Sequence, residues 1–456
     1  MTDFGLTLTV LAAYVAVIIF LAVRDWRSHN APSFAIGKRD VSSFPIMASV
    51  VGNLRDGAGV AAWIVLGIYF GFGALWLTLG LCIGLFVLGW LAPRIRKLAA
   101  DKDYFSVNQM IRDRVGPLTE RVSSIIIAAT AFLYGAVQVN IAGSVFASLF
   151  GTHVVFGVIL TIVIVGLYLS LGGFATSVRT GVFQWFIIML IVLLPWIAQP
   201  SGWPIPSLES FMSPGAMVIV AFVGLSLLVT LSSSDLWQLI FSARSGRDGR
   251  SGLHWSMPMY VLISIGLVLF SSVVATAVGP EVEGQDAFFA LFTVGVMPSF
   301  VVALIGVFVA ASIMSTLDSQ VFLFSSTIVG QFRPESKTDD PATERKLRAV
   351  IVVTMIALAL LALTITDIIQ FLFGAVTLAT VLVPVLIVAS IGREHGINDK
   401  ACAFGLIVAS MVYAYLFLNG LFDNLIMTLL PAAISIAIIA VILAVSAWSR
   451  IKKPDR

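Results

Sequence analysis

The sequence predicts an all-α polytopic membrane protein. Of the 456 residues, 59% are hydrophobic and only 11% are charged, which leaves too little polar surface to cover a water-soluble domain. The apolar runs are roughly 20 residues long, a length that suits membrane-crossing helices and not the alternating strands of about 10 residues in a barrel. We therefore expect residues 1–456 to form one transmembrane domain with many crossings.

Thirteen spans are predicted from the apolar runs. They lie at about 4–23, 44–70, 73–93, 122–149, 153–171, 180–198, 214–242, 254–278, 297–331, 348–365, 367–391, 401–419 and 424–449. Of the 27 Lys and Arg residues, 26 fall in alternate loops or in the C-terminal tail. By the positive-inside rule, the N-terminus lies outside and the C-terminus in the cytoplasm of a plasma membrane, here a bacterial inner membrane.

The composition argues against several function classes. No segment between spans is long enough for a soluble catalytic or signalling domain, so we expect no enzyme activity. The net charge of +3 is spread through short loops and does not indicate a nucleic-acid partner. Cys82 and Cys402 lie in apolar segments and indicate neither a disulfide nor a metal site. Segment 104–115 is predicted to be a short interfacial helix on the cytoplasmic face, with an ordinary loop as the alternative.

Span 2 carries an unusual interruption. Gly52, Gly57 and Gly59 weaken its helix, and Arg55 is the one basic residue that falls inside a span. Asp56 follows directly. Broken helices at membrane depth are tolerated where they line a cavity, and their freed carbonyl groups can bind a cation. The alternative is close helix packing with an internal Arg55–Asp56 ion pair.

Span 9 carries a stripe of hydroxyl groups. Ser312, Ser315, Thr316 and Ser319 are spaced at i, i+3, i+4 and i+7 and share one helix face. Neutral oxygen atoms on a rigid helix suit a weakly held hard cation such as Na⁺, although such a stripe also serves as hydrogen-bonding contact between helices. Asp318 points about 110° away from the stripe, which predicts a role next to the ion site or on its exit path.

Span 7 contains a third polar stretch, residues 232–238, in its cytoplasmic half. It includes Ser234, Asp235 and Trp237. The stretch indicates either a second broken helix or a helix end that approaches water, and the sequence does not separate the two.

Three motifs resemble the sodium:solute symporter family. These are MSTLDSQ at 314–320 followed by Ser325 and Ser326, the segment 168–184 at the turn into the sixth span, and Trp237-Gln238 followed by Ala243-Arg244. The resemblance implies the five-plus-five inverted repeat of the leucine transporter, with a discontinuous first helix in each half. Spans 2–6 (about 44–198) would form one repeat and spans 7–11 (about 214–391) the other, flanked by helices 4–23, 401–419 and 424–449.

The resemblance also implies a sodium site. The Ser315 and Thr316 hydroxyls, the Ser312 carbonyl and the Leu54 and Gly57 carbonyls would be its ligands. A shifted match that aligns Asn53 would use the Val51 and Leu54 carbonyls instead. Gly181 stands where many members have an aspartate that supports a second sodium in some relatives, so we expect one Na⁺.

The substrate is expected beside the two helix breaks. The candidate residues are Arg55, Asp56, Ala58, Gly59, Ser234, Asp235 and Trp237, with Asp318 and Ser319 near the ion or its exit. A lone arginine at a helix break could hold a carboxylate, which favours a carboxylate or amino-acid substrate. Arg55 could equally be a counter-ion of Asp56 or Asp235.

The predicted function is therefore Na⁺-coupled symport of a small organic solute into the cell by alternating access. One alternative is a proton-coupled carrier that uses Asp56 or Asp318 as its proton site. Another is a membrane module that senses a solute without transporting it. The expected partners are the solute, Na⁺ and the lipid bilayer, and a monomer is as compatible with the sequence as an oligomer.

Overall fold

The computed structural model describes residues 3–28, 34, 36, 39–198, 205–279, 281–282, 284–292, 296–332, 341–391 and 398–451, and this part of the chain is helical with no β-strand. The α-helices are α1 Asp3–Ser28, α2 Ser43–Leu54, α3 Gly57–Phe70, α4 Leu75–Asp101, α5 Val107–Arg114, α6 Pro117–Phe150, α7 Val154–Met189, α8 Leu194–Ile197, α9 Gly215–Ser232, α10 Ser234–Ser242, α11 Gly246–Val278, α12 Gln285–Ala290, α13 Ser299–Phe332, α14 Pro341–Ala362, α15 Ile368–Thr380, α16 Val383–Ile391, α17 Asp399–Leu418 and α18 Leu430–Ile451. The predicted all-α class is confirmed.

The helices are long and apolar, as a membrane protein requires. Within the described ranges, ten helical segments are long and apolar enough to cross a membrane. Helix α13 lies at the centre of the fold. In its most apolar 18-residue stretch 78% of the residues are buried, against 22% in the corresponding stretch of α1. The multi-pass membrane class is thereby confirmed, whereas the count of thirteen spans, the internal repeat and the sidedness stay predictions.

Both predicted helix interruptions are present. Span 2 divides into α2 and α3 around Arg55 and Asp56. Span 7 divides into α9 and α10 around Ser233, whose backbone is extended (φ −61°, ψ 94°). Since α10 continues for nine residues beyond that point, the polar stretch of span 7 is a helix break and not a helix end.

The predicted loop between spans 5 and 6 is wrong. Residues 172–179 belong to α7, which is divided into two helices by non-helical dihedral angles at Gly173 (φ 62°, ψ −151°). Glycine suits this position because L side chains rarely adopt such a positive φ, and a methyl group there would lie 2.6 Å from the Phe34 ring. The Arg348 guanidinium donates to the carbonyls of Ser170 and Leu171 at the end of the first half.

Two short helices lie outside the spans. A short helix is present in the predicted segment as α5, which buries Val107, Met110 and Ile111 and carries Arg112 and Arg114 in its last turn, and its place at the membrane interface stays a prediction. Helix α12 was not predicted, and it lies in the segment between spans 8 and 9.

Candidate functional site

The break in span 2 is held by side chains of α6. Asp56 caps α3 by accepting the Gly59 N–H at 2.7 Å. The same carboxylate accepts the Tyr134 hydroxyl at 2.6 Å and the Gln138 amide at 2.7 Å. The Gln138 amide oxygen in turn accepts the Gly57 N–H at 3.1 Å. These bonds satisfy backbone groups that the start of a helix leaves without partners.

Arg55 points away from α6 and toward α11. Its side chain is fully buried, and its guanidinium donates to the Ser264 hydroxyl at 2.7 Å. The guanidinium carbon lies 4.1 Å from the centre of the Tyr260 ring and 4.6 Å from that of Trp63. This arrangement is a desolvated cation–π contact with two rings.

The internal ion pair that the sequence left open is not formed. Among the described residues, Arg55 has no salt bridge to Asp56, Asp235 or any other carboxylate. Asp56 and Asp235 at the two breaks thus form no salt bridge among the described residues, while the Arg55 guanidinium packs against two aromatic rings.

The hydroxyl stripe of α13 meets the end of α2. The Thr316 hydroxyl lies 3.4 Å from the Gly52 carbonyl oxygen, 3.3 Å from that of Asn53 and 3.3 Å from that of Ser312. The Ser315 hydroxyl is buried and has no hydrogen-bond partner among the described residues. It faces Gly52 so closely that a methyl group there would collide with it.

The structure gives one of the two predicted carbonyl ligands of span 2 a hydrogen-bond partner. The Leu54 carbonyl accepts the Tyr260 hydroxyl at 3.2 Å. The carbonyls that face Thr316 are those of Gly52 and Asn53, which precede the predicted ligands Leu54 and Gly57 in the chain. Neither of the two registers that the sequence suggested names this pair.

Asn53 connects α13 to the break in span 7. Its amide oxygen accepts the Ser319 hydroxyl at 3.1 Å, and its amide nitrogen donates to the Asp235 carboxylate at 3.1 Å. The Ser319 hydroxyl also lies 3.3 Å from Asp318, whose other oxygen accepts the Tyr168 hydroxyl at 3.1 Å. One polar chain therefore joins α7, α13, α2 and α10.

The break in span 7 is satisfied within its own segment. The Ser232 and Ser233 hydroxyls both donate to the Val229 carbonyl, at 3.0 and 2.9 Å. Trp237 is fully buried, and its indole N–H donates to the Leu231 carbonyl at 2.9 Å. Trp237 is thus engaged in holding the break together.

Two cavities lie on either side of the breaks. The Asp56 cavity is lined by Asp56, Gly59, Trp63, Ser226, Tyr260 and Leu372, among others. The Asp235 cavity is lined by Asn53, Thr130, Ser233, Ser234, Asp235 and Gln320, among others. Four side chains border both cavities: Leu54, Tyr134, Val229 and Val376. A barrier about one side chain thick separates the two.

The predicted substrate residues divide between these places. Asp56 and Gly59 line the first cavity, and Ser234 and Asp235 line the second. Arg55, Ala58 and Trp237 line neither. A larger cavity of about 300 Å³ lies between α1, α6, α7 and α13, but its walls are almost wholly apolar.

Sequence reasoning missed the residues that brace the first break. Tyr134 and Gln138 lie four residues apart on α6, so they share a helix face within an apolar span. That spacing could have pointed to a polar partner for Asp56. Tyr260 and Trp63 carried no comparable signal, because aromatic residues in apolar helices are usually packing residues.

Comparison with known proteins gives three kinds of similarity. The model of the sodium:solute symporter family matches residues 34–200 and 207–389. A sodium/proline symporter of Staphylococcus aureus (strain bovine RF122 / ET3-1) is 25% identical over 395 residues, which cover 78% of this chain and 75% of that protein. A second sodium/proline symporter of Staphylococcus aureus is 24% identical over 396 residues, with the same coverage of 78% and 75%.

Two solved structures share the fold. A Na⁺-coupled sialic acid symporter in its substrate-bound outward-open state superposes with a TM-score of 0.77 at 16% identity, over 96% of this chain and 97% of that one. A nucleobase-cation-symport-1 family transporter in a closed conformation, with bromovinylhydantoin bound, gives a TM-score of 0.53 at 13% identity, over 92% of each chain.

Proposed function

Because the chain belongs to the sodium:solute symporter family, we propose that it couples the inward movement of one Na⁺ to the uptake of a small organic solute. The proposed mechanism is alternating access across a plasma membrane, with thirteen spans, an outside N-terminus and repeats at about 44–198 and 214–391. The observation that carries the proposal is the Thr316 hydroxyl, which lies within 3.4 Å of the Gly52 and Asn53 carbonyl oxygens at the break of span 2.

The proposed sodium site lies between α2 and α13. Its ligands are the Thr316 and Ser315 hydroxyls, the Ser312 carbonyl and the Gly52 and Asn53 carbonyls, in place of the Leu54 and Gly57 carbonyls that the family resemblance implied. All of these are uncharged oxygen atoms, at the end of α2 and in the middle of α13, which suits a hard cation that must bind and leave. Movement of α2 relative to α13 would open the site, so Na⁺ favours the conformation that brings them together.

The proposed solute site is the Asp56 cavity. Asp56 is the charged group that this cavity presents, and it has no salt bridge among the described residues. A protonated nitrogen on the solute would supply the missing partner. We therefore propose an amino acid or a related amine over a carboxylate without a nitrogen. The sodium/proline symporters among the relatives support the same choice. Arg55 is covered by Trp63 and Tyr260 and does not line this cavity, so it is not placed to hold a carboxylate there.

The sodium site is tested by ion-dependent stability of the purified protein. We expect Na⁺ to raise the Tm, and K⁺ at the same ionic strength to leave it unchanged. Gly52→Ala and Thr316→Ala should each weaken Na⁺ binding at least about tenfold, because each removes or obstructs a ligand worth about 1.5 kcal/mol. Gly306→Ala is the matched control on α13, since its methyl group would meet only Leu149 at an ordinary 3.4 Å. Equal Na⁺ responses in all three variants would overturn the site.

The solute class is tested with a ligand panel in the presence of Na⁺. Zwitterionic amino acids and amines should raise the Tm and drive Na⁺-dependent uptake into proteoliposomes, while monocarboxylates and sugars should not. Asp56→Asn should abolish the amine response yet keep the cap of α3, because asparagine also accepts at this position. Ser226→Ala changes a neutral group of the same cavity and serves as control. Uptake of a nitrogen-free carboxylate that survives Asp56→Asn would contradict the proposal.

A further inference from the structure

The cavity of about 300 Å³ between α1, α6, α7 and α13 has no part in the proposed transport cycle. On α13 it is lined by Gly306, Ala310, Ile313 and Met314. At 100° per residue these positions face roughly 150° away from the hydroxyl stripe of the same helix. The cavity therefore lies on the opposite side of α13 from the proposed sodium site.

The walls of this cavity offer little to a polar ligand. No lining side chain is charged, and the two that carry hydroxyl groups are Tyr14 and Thr161. The Tyr14 hydroxyl accepts the Gln184 amide at 3.0 Å, and the Thr161 hydroxyl donates to the Gly157 carbonyl at 2.8 Å. A polar or charged ligand would lose its hydration here without a matching set of partners. The chemistry of the walls selects an apolar ligand.

Small residues on α13 leave the cavity its room. Such residues in membrane helices usually let two helices approach closely. Gly306 does not have this role, because a methyl group there would meet only Leu149, at an ordinary 3.4 Å. An engineered protein cavity of about 150 Å³ with apolar walls stays dry and binds benzene. The cavity beside α13 is about twice as large, which is enough for a longer hydrocarbon segment.

The mouth of the cavity lies between α1 and α7, within segments that are long and apolar enough to cross the membrane. Leu8 and Leu160 line the cavity and are also 46% and 43% exposed. At the inner end, Tyr14 and Met314 are buried. Along α13 the lining extends over eight residues from Gly306 to Met314, about 12 Å. The cavity thus leads from the lipid-facing surface of the bundle to its central helix.

We propose that this cavity binds one acyl chain of a membrane phospholipid, which enters between α1 and α7 and ends against Ile313 and Met314. The apolar walls and the lateral mouth both indicate this occupant, because lipid chains are the molecules that meet the mouth in a bilayer. The depth of about 12 Å is less than half of the roughly 30 Å hydrocarbon core, so a chain from one leaflet can reach the inner end.

The experiment uses the purified full chain in nanodiscs of a phosphatidylcholine that carries a diazirine near the end of one acyl chain. After illumination, peptide mapping should find the label on α13 between Gly306 and Met314. Every residue of that stretch is buried or half-buried, so we expect lipid to reach it only through the cavity. Label on α1 is not informative by itself, because α1 faces lipid.

Three variants separate the cavity from other routes to α13. Ala310→Phe fills the cavity and should lose the label on α13 while α1 keeps its own. Gly306→Leu fills the same space from another level and should give the same loss, which guards against a local folding defect in the first variant. Val163→Phe is the matched control, since it adds a ring at an exposed position of α7 that does not line the cavity. It should keep the α13 label.

Two results would overturn the acyl-chain site. One is a wild-type α13 without label, or equal α13 label in the two cavity-filling variants and in Val163→Phe. The other is label from a diazirine-bearing alkane but none from the phospholipid, which would assign the cavity to a detached apolar molecule. Neither readout depends on Na⁺, so the acyl-chain site stands or fails separately from the proposed function.

Discussion

The two helix breaks satisfy their backbone groups in opposite ways. At the break of span 2, the partners come from other helices, with Gln138 and Tyr134 on α6 and Tyr260 on α11. At the break of span 7, the partners are local, because Ser233 and Trp237 bond to carbonyls only a few residues earlier. The first break is therefore tied to its surroundings, whereas the second can bend with its own segment.

The difference indicates how motion can be transmitted. A break that depends on α6 and α11 changes shape when those helices move, and it can pass that change to the ion site at Gly52 and Asn53. The break of span 7 holds its own backbone locally and is joined to α2 through the hydrogen bond between Asn53 and Asp235. The following predictions test this contrast by comparing stability losses at the two breaks.

The largest stability loss is expected for Gln138→Leu. The change removes the donor to Asp56 and the acceptor of the Gly57 N–H, both buried, and should lower the free energy of unfolding by about 3 kcal/mol. Denaturant titration in detergent measures it. Ser148→Ala is the control on α6, because within the described part of the chain its hydroxyl bonds only to the Ser144 carbonyl of its own helix. Equal losses in the two variants would contradict the idea that α6 braces the break.

A smaller loss is expected at the α11 side of the same break. Tyr260→Leu removes the ring contact with the buried Arg55 and should lower the free energy of unfolding by about 2 kcal/mol. Tyr260→Phe keeps the ring and loses the hydrogen bonds of the hydroxyl to the Leu54 carbonyl and to Trp63, for a loss of about 1 kcal/mol. The difference in the free energy of unfolding between the two variants reports the cation–π contact. Equal free energies of unfolding would mean that the Tyr260 ring does not stabilise Arg55.

At the break of span 7, Trp237→Phe should lower the free energy of unfolding by about 1.5 kcal/mol. The Leu231 carbonyl loses its donor and a small cavity forms. The hydrogen-bond partner of Trp237 is local, and Trp237 is not one of the proposed Na⁺ ligands. We therefore expect the Na⁺ affinity of the same samples to change by less than about twofold. A tenfold loss of Na⁺ affinity would show that this break is coupled to the ion site as strongly as the first.

The smallest effect is expected for Ser233→Ala, within about 0.5 kcal/mol, because its hydroxyl bonds back onto its own helix. The Ser232 hydroxyl still donates to the same Val229 carbonyl in this variant. A loss above 1 kcal/mol in the denaturant titration would mean that Ser233 has a partner beyond its own segment.

Much of this arrangement could be predicted from the sequence. The apolar runs gave the all-α membrane class, and the glycines and charges of 52–59 indicated the first break. The serine spacing of span 9 placed Thr316 and Ser315 on one helix face, and the structure brings that face against α2. These features depend on local pattern and on the helical period, which a sequence displays directly.

The remaining details depend on contacts between distant segments. Which carbonyl faces Thr316 depends on the rotation of α2 at its last turn, where Tyr260 of α11 bonds the Leu54 carbonyl. Arg55 could have turned toward Asp56 or away from it, and the choice depends on the rings of Trp63 and Tyr260. The loop predicted at 172–179 is too long because the turn needs only one residue, Gly173, and residues 174–179 already belong to the second half of α7.

The four side chains that separate the two cavities have an electrical consequence. Leu54, Tyr134, Val229 and Val376 form a thin insulating layer wherever the cavities on both sides hold water. The membrane voltage would then fall mainly across this layer instead of evenly over the bilayer. Asn53, a proposed Na⁺ ligand, borders one of these cavities. An ion that crosses here would gain nearly the whole driving force, about 2.3 kcal/mol per 100 mV, within a few ångströms of movement.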